Sequence, residues 1–147
     1  MKVLAIDLGS RRVGLASGDS DNRIAFPKAV IQRKNDKQVI DEIIKIVSSE
    51  NYEVVVFGLP LSMNSESGTQ VEFTNGFMDE FSKVCKEKGL HIEVTGVDER
   101  LSSFEADSFL NDVADVSGRP VSKSKKSGDR DLMSAKVILE RYFSDLN

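Results

Sequence analysis

Two aspartates stand in hydrophobic patterns where a carboxylate is costly to bury. Asp7 ends the apolar run Val3–Leu8, so a cation or hydrogen bonds must compensate its charge if the run is a buried strand. Asp131 shares one face of a predicted helix with three hydrophobic residues. These residues are Ala135, Ile138 and Tyr142. Both aspartates are therefore candidates for an oxygen-lined metal site.

A third acidic position follows the predicted fifth strand, where Asp98 and Glu99 stand side by side. Ligands of open α/β sheets bind at the carboxyl ends of the strands. Each acidic position also has a purely structural explanation. Asp7 could hold the turn after its strand, Asp131 could cap its helix, and the third pair could bind Arg100. The residues taken singly leave these alternatives open.

Together, the three positions would supply the oxygen ligands that a hard cation such as Mg²⁺ prefers. Such ions activate water and stabilise the leaving oxygen in phosphodiester hydrolysis. His91, the single histidine, is expected to pack on a strand, and Cys85, the single cysteine, is expected within a helix. One cysteine excludes an internal disulfide and a cysteine-based zinc site. Metal-assisted hydrolysis is the chemistry that remains.

The charge distribution is uneven along the chain. The 147 residues carry 20 Lys and Arg against 24 Asp and Glu, a formal net charge of -4 that argues weakly against nucleic-acid binding. The segment from Ser117 to Arg130, however, contains five basic residues and a single acid, Asp129. They are Arg119, Lys123, Lys125, Lys126 and Arg130. We expect this basic strip to contact phosphates in a salt-sensitive way, or to be a solvated loop in the absence of substrate.

The composition indicates a location in the cytoplasm. No apolar run approaches the roughly 18 residues of a membrane span, so we expect no membrane association. The short apolar stretch at Val3–Leu8 contains Asp7 and lacks a cleavage site, so it is typical of a buried strand rather than a signal peptide.

The first part of the chain is predicted to form three strands and a helix. The strands are expected at Val3–Leu8, Val13–Ser17 and Ile24–Ile31, and their short connections require antiparallel pairing. Pro27 indicates an edge strand or a bulge. The helix begins after Asp36 as the expected N-cap. Its hydrophobic face consists of Val39, Ile40, Ile43, Ile44 and Val47.

The second part is predicted to alternate strands and helices. Strands are expected at Val54–Phe57 and Leu90–Val97. Between them, the loop Gly58–Gly68 precedes a helix that a capping box of Thr69 and Glu72 would open. The start of such a helix is a natural anion site, although a plain surface loop would have the same composition.

The last part contains two further predicted helices. A capping box at Ser102 and Glu105 predicts a short helix, a mobile loop is expected from Asn111 to Gly128, and the final helix is expected at Asp131–Phe143. The order of elements predicts an α/β fold. We expect a five-stranded mixed sheet, with three antiparallel strands followed by two parallel ones and helices against it, in a single domain at 1–147.

Four segments resemble, in order and spacing, the motifs of the YqgF family. This family is also called RuvX and groups Holliday junction resolvase-like proteins with pre-16S rRNA nucleases. The matching segments are Ile6–Gly14, Gly58–Asn64 with Gly68 and Thr69, Asp98–Ser103, and the final helix from Asp131 to Phe143. Many folds use the Asp-x-Gly of the first motif, but the four together are highly specific.

The resemblance implies an RNase H-like fold and a cytoplasmic nuclease that depends on Mg²⁺ or Mn²⁺ and matures the 5′ end of 16S rRNA. It implies that Asp7, Glu99 and Asp131 are the catalytic acids and the metal ligands. The expected nucleic-acid contacts are Arg11, Arg12, Arg100, Arg119, Lys123, Lys125, Lys126 and Arg130. The implied partner is structured RNA or branched DNA, bound by a monomer or a weak homodimer.

One departure from the family pattern affects the phosphate contacts. A basic residue commonly stands two places before the helix aspartate in this family, whereas this chain has Asp129. The contact then passes to Arg130 and Lys126. The glycines of the first motif, Gly9 and Gly14, would let the backbone approach a phosphate, although a tight hairpin also requires glycine.

Three other functions remain open. The first is a DNA junction resolvase that uses the same acids. The second is an ATP-binding protein of the actin and sugar-kinase type, whose first phosphate loop also contains Asp-x-Gly but which closes two such domains over its nucleotide. The third is a nucleic-acid-binding module without catalysis, against which the intact acids at 7, 99 and 131 argue.

Overall fold

The computed structural model describes residues 1–59, 65–98 and 126–146. Within these ranges, strands and helices follow one another in the predicted order. They are β1 (Lys2–Leu8), β2 (Arg12–Asp19), β3 (Ile24–Gln32), α1 (Asp36–Glu50), β4 (Val54–Leu59), α2 (Ser65–Glu87), β5 (Glu93–Asp98) and α3 (Lys126–Asp145). None of the described helices is both long enough and apolar enough to cross a membrane.

The sheet has five strands in the order β3-β2-β1-β4-β5. The first three strands pair antiparallel, because their connections are too short for a crossover, while β1, β4 and β5 are parallel. This arrangement confirms the predicted mixed sheet. Pro27 lies on the edge strand β3, where its missing N–H is tolerated, and the register of β2 and β3 shifts beside it, between Leu15 and Ala16.

The two faces of the sheet carry separate hydrophobic cores. Because side chains alternate along a strand, Leu4 and Ile6 of β1 point to the face covered by α1 and α2, which we call the α1/α2 face. Val3 and Ala5 point to the opposite face, which α3 covers and which we call the α3 face. Asp7 follows in the same alternation as Val3 and Ala5. Its side chain is therefore directed to the α3 face.

Several predicted boundaries are wrong by a few residues. Helix α1 is capped by Asn35, not Asp36, because the Asn35 side chain accepts a hydrogen bond from the backbone N–H of Gln38 at 2.8 Å. Helix α2 begins four residues before Thr69, so the predicted capping box lies inside the helix. His91 is exposed and precedes β5, so the expectation that it packs on a strand is also wrong.

The final helix also begins earlier than predicted. Helix α3 starts at Lys126, within the expected loop from Asn111 to Gly128, so Asp131 lies in the second helical turn rather than the first. The predicted helix that begins at Ser102 lies outside the described residues. The part of the predicted loop that precedes Lys126 also lies outside them. The prediction that 131, 135, 138 and 142 share a sheet-facing stripe is confirmed, since Ala135 and Ile138 are fully buried in the α3-face core.

Candidate active site

The carboxylate of Asp7 lies at the end of β1, on the α3 face. Asp7 is partly buried and is the Cα partner of Gly14 in the antiparallel β1–β2 pair. Directly opposed residues of such a pair place their side chains on the same face of the sheet. Glycine has no side chain, so the space beside Asp7 is left for another element.

Helix α3 fills the space at Gly14. A Cβ atom built on Gly14 would lie 2.2 Å from the backbone oxygen of Asp131 and 3.3 Å from its Cβ. No real side chain tolerates such a distance, so only glycine allows the helix to approach this closely. The structure gives Gly14 this role in packing, and its approach to a phosphate stays a prediction. The contact brings Asp131 beside the strand position that pairs with Asp7.

The side chain of Asp131 forms an ion pair with Arg12, the first residue of β2. The Nε atom of Arg12 donates a hydrogen bond to Oδ2 of Asp131 at 2.8 Å. Capping of the helix by Asp131 is excluded, because α3 begins at Lys126 and the unpaired N–H groups belong to its first turn. The structural partner of Asp131 is therefore a strand residue, not the start of its own helix.

Arg33 holds the turn that follows Asp7, and sequence reasoning missed it. Its Nη1 donates a hydrogen bond to the backbone oxygen of Gly9 at 3.0 Å, and its backbone N–H bonds to the oxygen of Arg11 at 2.9 Å. The guanidinium lies 4.6 Å from the ring centroid of Phe73. It also pairs with Asp36, and its side chain is only 8% exposed. Nothing in the local sequence distinguishes Arg33 from an ordinary surface base, since its contacts with Gly9 and Phe73 come from distant elements.

The third acidic position lies at the same edge of the sheet. Strand β5 runs parallel to β4 and pairs Asp98 with Leu59 at the carboxyl ends of both strands. The parallel β1 ends at this edge too, just after Asp7. Glu99 follows β5 directly but lies outside the described residues. Within 1–59, 65–98 and 126–146, no three His, Cys, Asp or Glu side chains are grouped closely enough to hold a metal ion.

The donor chemistry of the described site fits a hard divalent cation. Asp7 and Asp131 come from separate elements that Gly14 brings together, and carboxylate oxygens are the ligands that Mg²⁺ and Mn²⁺ prefer. No histidine or cysteine of the described residues competes for the role, because His91 is exposed beyond α2 and Cys85 is buried in the other core.

Three of the predicted nucleic-acid contacts belong to the segments that carry these carboxylates or directly follow them. Arg11 is exposed in the β1–β2 turn, Arg12 follows it, and Arg130 is exposed on α3 next to Asp131. Lys126 begins α3, but its side chain lies outside the described residues. The remaining predicted contacts also lie outside them. These are Arg100, Arg119, Lys123 and Lys125.

Comparison with known sequences finds relatives that carry the same name. A protein of Chloroflexus aurantiacus named "Putative pre-16S rRNA nuclease" is 34% identical over 140 residues, covering 95% of this chain and 84% of its own. A protein of the same name from Maridesulfovibrio salexigens is 33% identical over 144 residues, covering 98% of each chain.

Comparison with solved structures gives the same fold. Thermus thermophilus RuvC, solved with a Holliday junction substrate, matches with a TM-score of 0.57 and 15% identity, over 97% of this chain and 94% of that one. The fowlpox virus Holliday junction resolvase matches with a TM-score of 0.53 and 14% identity, over 99% of this chain and 100% of that one. The sheet order and these neighbours confirm the predicted RNase H-like fold.

The profile of one family matches almost the entire chain. That family is described as "RuvX: Holliday junction resolvase", and the match covers residues 1–145. It agrees with the resemblance that the four sequence motifs indicated and with the names of the sequence relatives. The chain belongs to the RuvX family.

Proposed function

We propose that this protein is a divalent-metal-dependent endonuclease that processes the 5′ end of pre-16S rRNA. One structural observation carries the nuclease proposal: the contact at Gly14 places Asp131 of α3 beside the strand position that pairs with Asp7. Hydrophobic packing gives no reason to direct two carboxylates to one end of an apolar sheet face. The RNA substrate is supported by the names of the sequence relatives.

In this proposal, Asp7, Asp131 and Glu99 hold Mg²⁺ or Mn²⁺. A bound divalent ion supplies an activated water and stabilises charge on the leaving oxygen. Asp7 and Asp131 are presented from rigid elements, a strand and a helix, which keeps their separation fixed. Glu99 is assigned by family resemblance and by its place directly after β5.

The basic residues around the acids would bind the substrate backbone. Arg11, in the turn after β1, and Arg130, the residue before Asp131, are exposed, and they would bind phosphates of either nucleic acid. Arg100 and the basic strip from Arg119 to Lys126 remain predicted contacts that extend this surface. We further propose that residues 1–147 form one nuclease domain, acting in the cytoplasm as a monomer or weak homodimer.

The proposal is tested by cleavage of an RNA spanning the precursor 5′ end, with Mg²⁺ or Mn²⁺ and with EDTA. The variants Asp7→Asn and Asp131→Asn remove one charged ligand each with little change of shape. We expect each to lower the cleavage rate at least about a thousandfold, because several kcal/mol of transition-state stabilisation is lost. EDTA should abolish cleavage by the wild-type protein.

The matched control is Asp79→Asn, which makes the same chemical change at an exposed position of α2. It should cleave like the wild type. Full activity of Asp7→Asn with an intact circular dichroism spectrum would remove Asp7 from the mechanism. Cleavage in EDTA would contradict the need for a metal ion.

A second candidate substrate is a four-way DNA junction. The description of the matching family favours it. The assay therefore includes a synthetic four-way junction beside the RNA. Cleavage of the junction without cleavage of the RNA would overturn the RNA assignment but keep the nuclease site.

A further inference from the structure

The Arg12–Asp131 ion pair connects residues that are 119 positions apart in the chain. The Arg12 side chain is 34% exposed and that of Asp131 is 23% exposed, so both are shielded from water more than an ordinary surface pair. Partial burial strengthens the interaction between charges, because the effective dielectric constant falls. The pair is therefore more than a surface contact, and it involves a carboxylate that the proposed mechanism uses.

The pair conflicts with cation binding in two ways. Arg12 occupies one oxygen of Asp131, an atom that would otherwise be free to coordinate a metal ion. Its positive charge also repels any second cation that approaches the same carboxylate. Removing a positive charge from a carboxylate site strengthens the attraction of that site for cations.

The local packing fixes where this competition occurs. The Gly14 contact holds the backbone of Asp131 against β2, and Arg12 lies two residues before Gly14 on that strand. The backbone of Asp131 therefore cannot move away from β2 without displacing the helix. The arginine side chain is the longer and more flexible of the two partners.

We propose that Arg12 is the internal counterion of Asp131 and lowers the affinity of the site for divalent cations. Arg12 is a positioning residue: it orients the Asp131 carboxylate while no cation is bound and is released when a cation takes its place. Once released, its guanidinium lies beside the site and can bind a phosphate oxygen of the substrate. The inference rests on the proposed function, because it assumes that Asp131 binds the cation.

The test measures how tightly the full chain binds Mn²⁺ in the absence of nucleic acid. The concentration of free Mn²⁺ is monitored by electron paramagnetic resonance. Arg12→Gln removes the charge and keeps a polar side chain of similar reach. We expect it to bind Mn²⁺ about three- to tenfold more tightly than the wild type, as removal of one nearby charge predicts. Arg12→Lys keeps the charge and should bind Mn²⁺ within about twofold of the wild type.

The matched control is Arg11→Gln, which removes the same charge one residue earlier, from an exposed side chain. Solvent screens that charge, so its effect on Mn²⁺ affinity should be smaller than that of Arg12→Gln. Circular dichroism of each variant shows that it is folded. A purely structural role for Arg12 predicts unchanged or weaker Mn²⁺ binding, so a gain in affinity separates the two explanations.

The outcomes also separate this inference from the proposed function. Unchanged or weaker Mn²⁺ binding by folded Arg12→Gln would overturn the counterion role, as would an equal gain in Arg11→Gln. If Asp7→Asn and Asp131→Asn bind Mn²⁺ as tightly as the wild type, the proposed metal site itself fails. The counterion role stands when both aspartate variants lose affinity for Mn²⁺ and Arg12→Gln gains more affinity than Arg11→Gln.

Discussion

The two faces of the sheet are packed with side chains of different size. On the α1/α2 face, Phe57 meets Phe77 and Phe81 edge to ring, with centroids 5.9 and 5.8 Å apart. On the α3 face, the backbone of α3 approaches Gly14 of β2 so closely that a Cβ atom has no room, and a Cβ atom on Gly18 would meet the Ile24 backbone oxygen at 2.5 Å and the Phe143 ring at 2.9 Å. The first face keeps its helices at the distance that large side chains set, while the second brings a helix backbone to the strand.

The difference separates stability from geometry. Large buried side chains contribute most of the hydrophobic free energy, because they remove the most apolar surface from water. Small residues contribute little of it but decide how near two backbones can come. We infer that the α1/α2 face mainly stabilises the fold, and that the α3 face mainly sets the distance between Asp7 and Asp131.

The largest expected effect on stability is on the α1/α2 face. Phe81→Ala removes a fully buried ring and should lower the free energy of unfolding by about 3–5 kcal/mol, measured by urea denaturation. Cleavage per folded molecule should stay close to the wild-type rate, since the acids lie across the sheet. A large loss of cleavage in fully folded Phe81→Ala protein would contradict the division between the faces.

A smaller loss of stability is expected on the α3 face, with a larger effect on cleavage. Gly14→Ala places a Cβ atom against the backbone of Asp131, so it should lower the free energy of unfolding by about 1–3 kcal/mol. Cleavage should fall about tenfold to a hundredfold, because the helix and its carboxylate must shift. Both quantities are measured on the same preparation.

The control for the glycine substitution is Gly76→Ala in α2. A Cβ atom there meets nothing within 4 Å, and alanine favours the helix, so stability should rise by about 0.5–1 kcal/mol without loss of cleavage. If the Gly14→Ala protein matched the Gly76→Ala protein in both the free energy of unfolding and the cleavage rate, the close approach of α3 to β2 would not be needed.

The smallest expected effect is on the rate of chemical labelling of Cys85, which needs no further substitution. Burial raises the pKa of the Cys85 thiol, and its side chain is 2% exposed in the α1/α2-face core. The reactive thiolate is therefore scarce at neutral pH, and labelling by a disulfide reagent should be slow and should accelerate as pH rises. We expect Phe81→Ala to accelerate labelling and Gly14→Ala to leave it nearly unchanged. Equal acceleration in both variants would show that the two cores open as one unit.

Local sequence patterns determined the elements and the candidate acids. The alternation in β1 and the helical stripe from Asp131 to Tyr142 predict which side chains face inward, because the periods of strands and helices are fixed by backbone geometry. Short connections made the first three strands antiparallel. Helix starts were less predictable, as at Asn35 and Lys126, because several polar residues near each start have similar capping ability.

Only the tertiary structure decided what each site residue contacts. The sequence left Asp131 divided between a helix cap and a metal ligand, and the structure excluded the cap and paired the carboxylate with Arg12. It also gave Arg33 its role at the turn and Gly14 its role against α3. These contacts join residues from 24 to 119 positions apart, and no local preference encodes a contact over such separations. They form only when the sheet and its helices pack together.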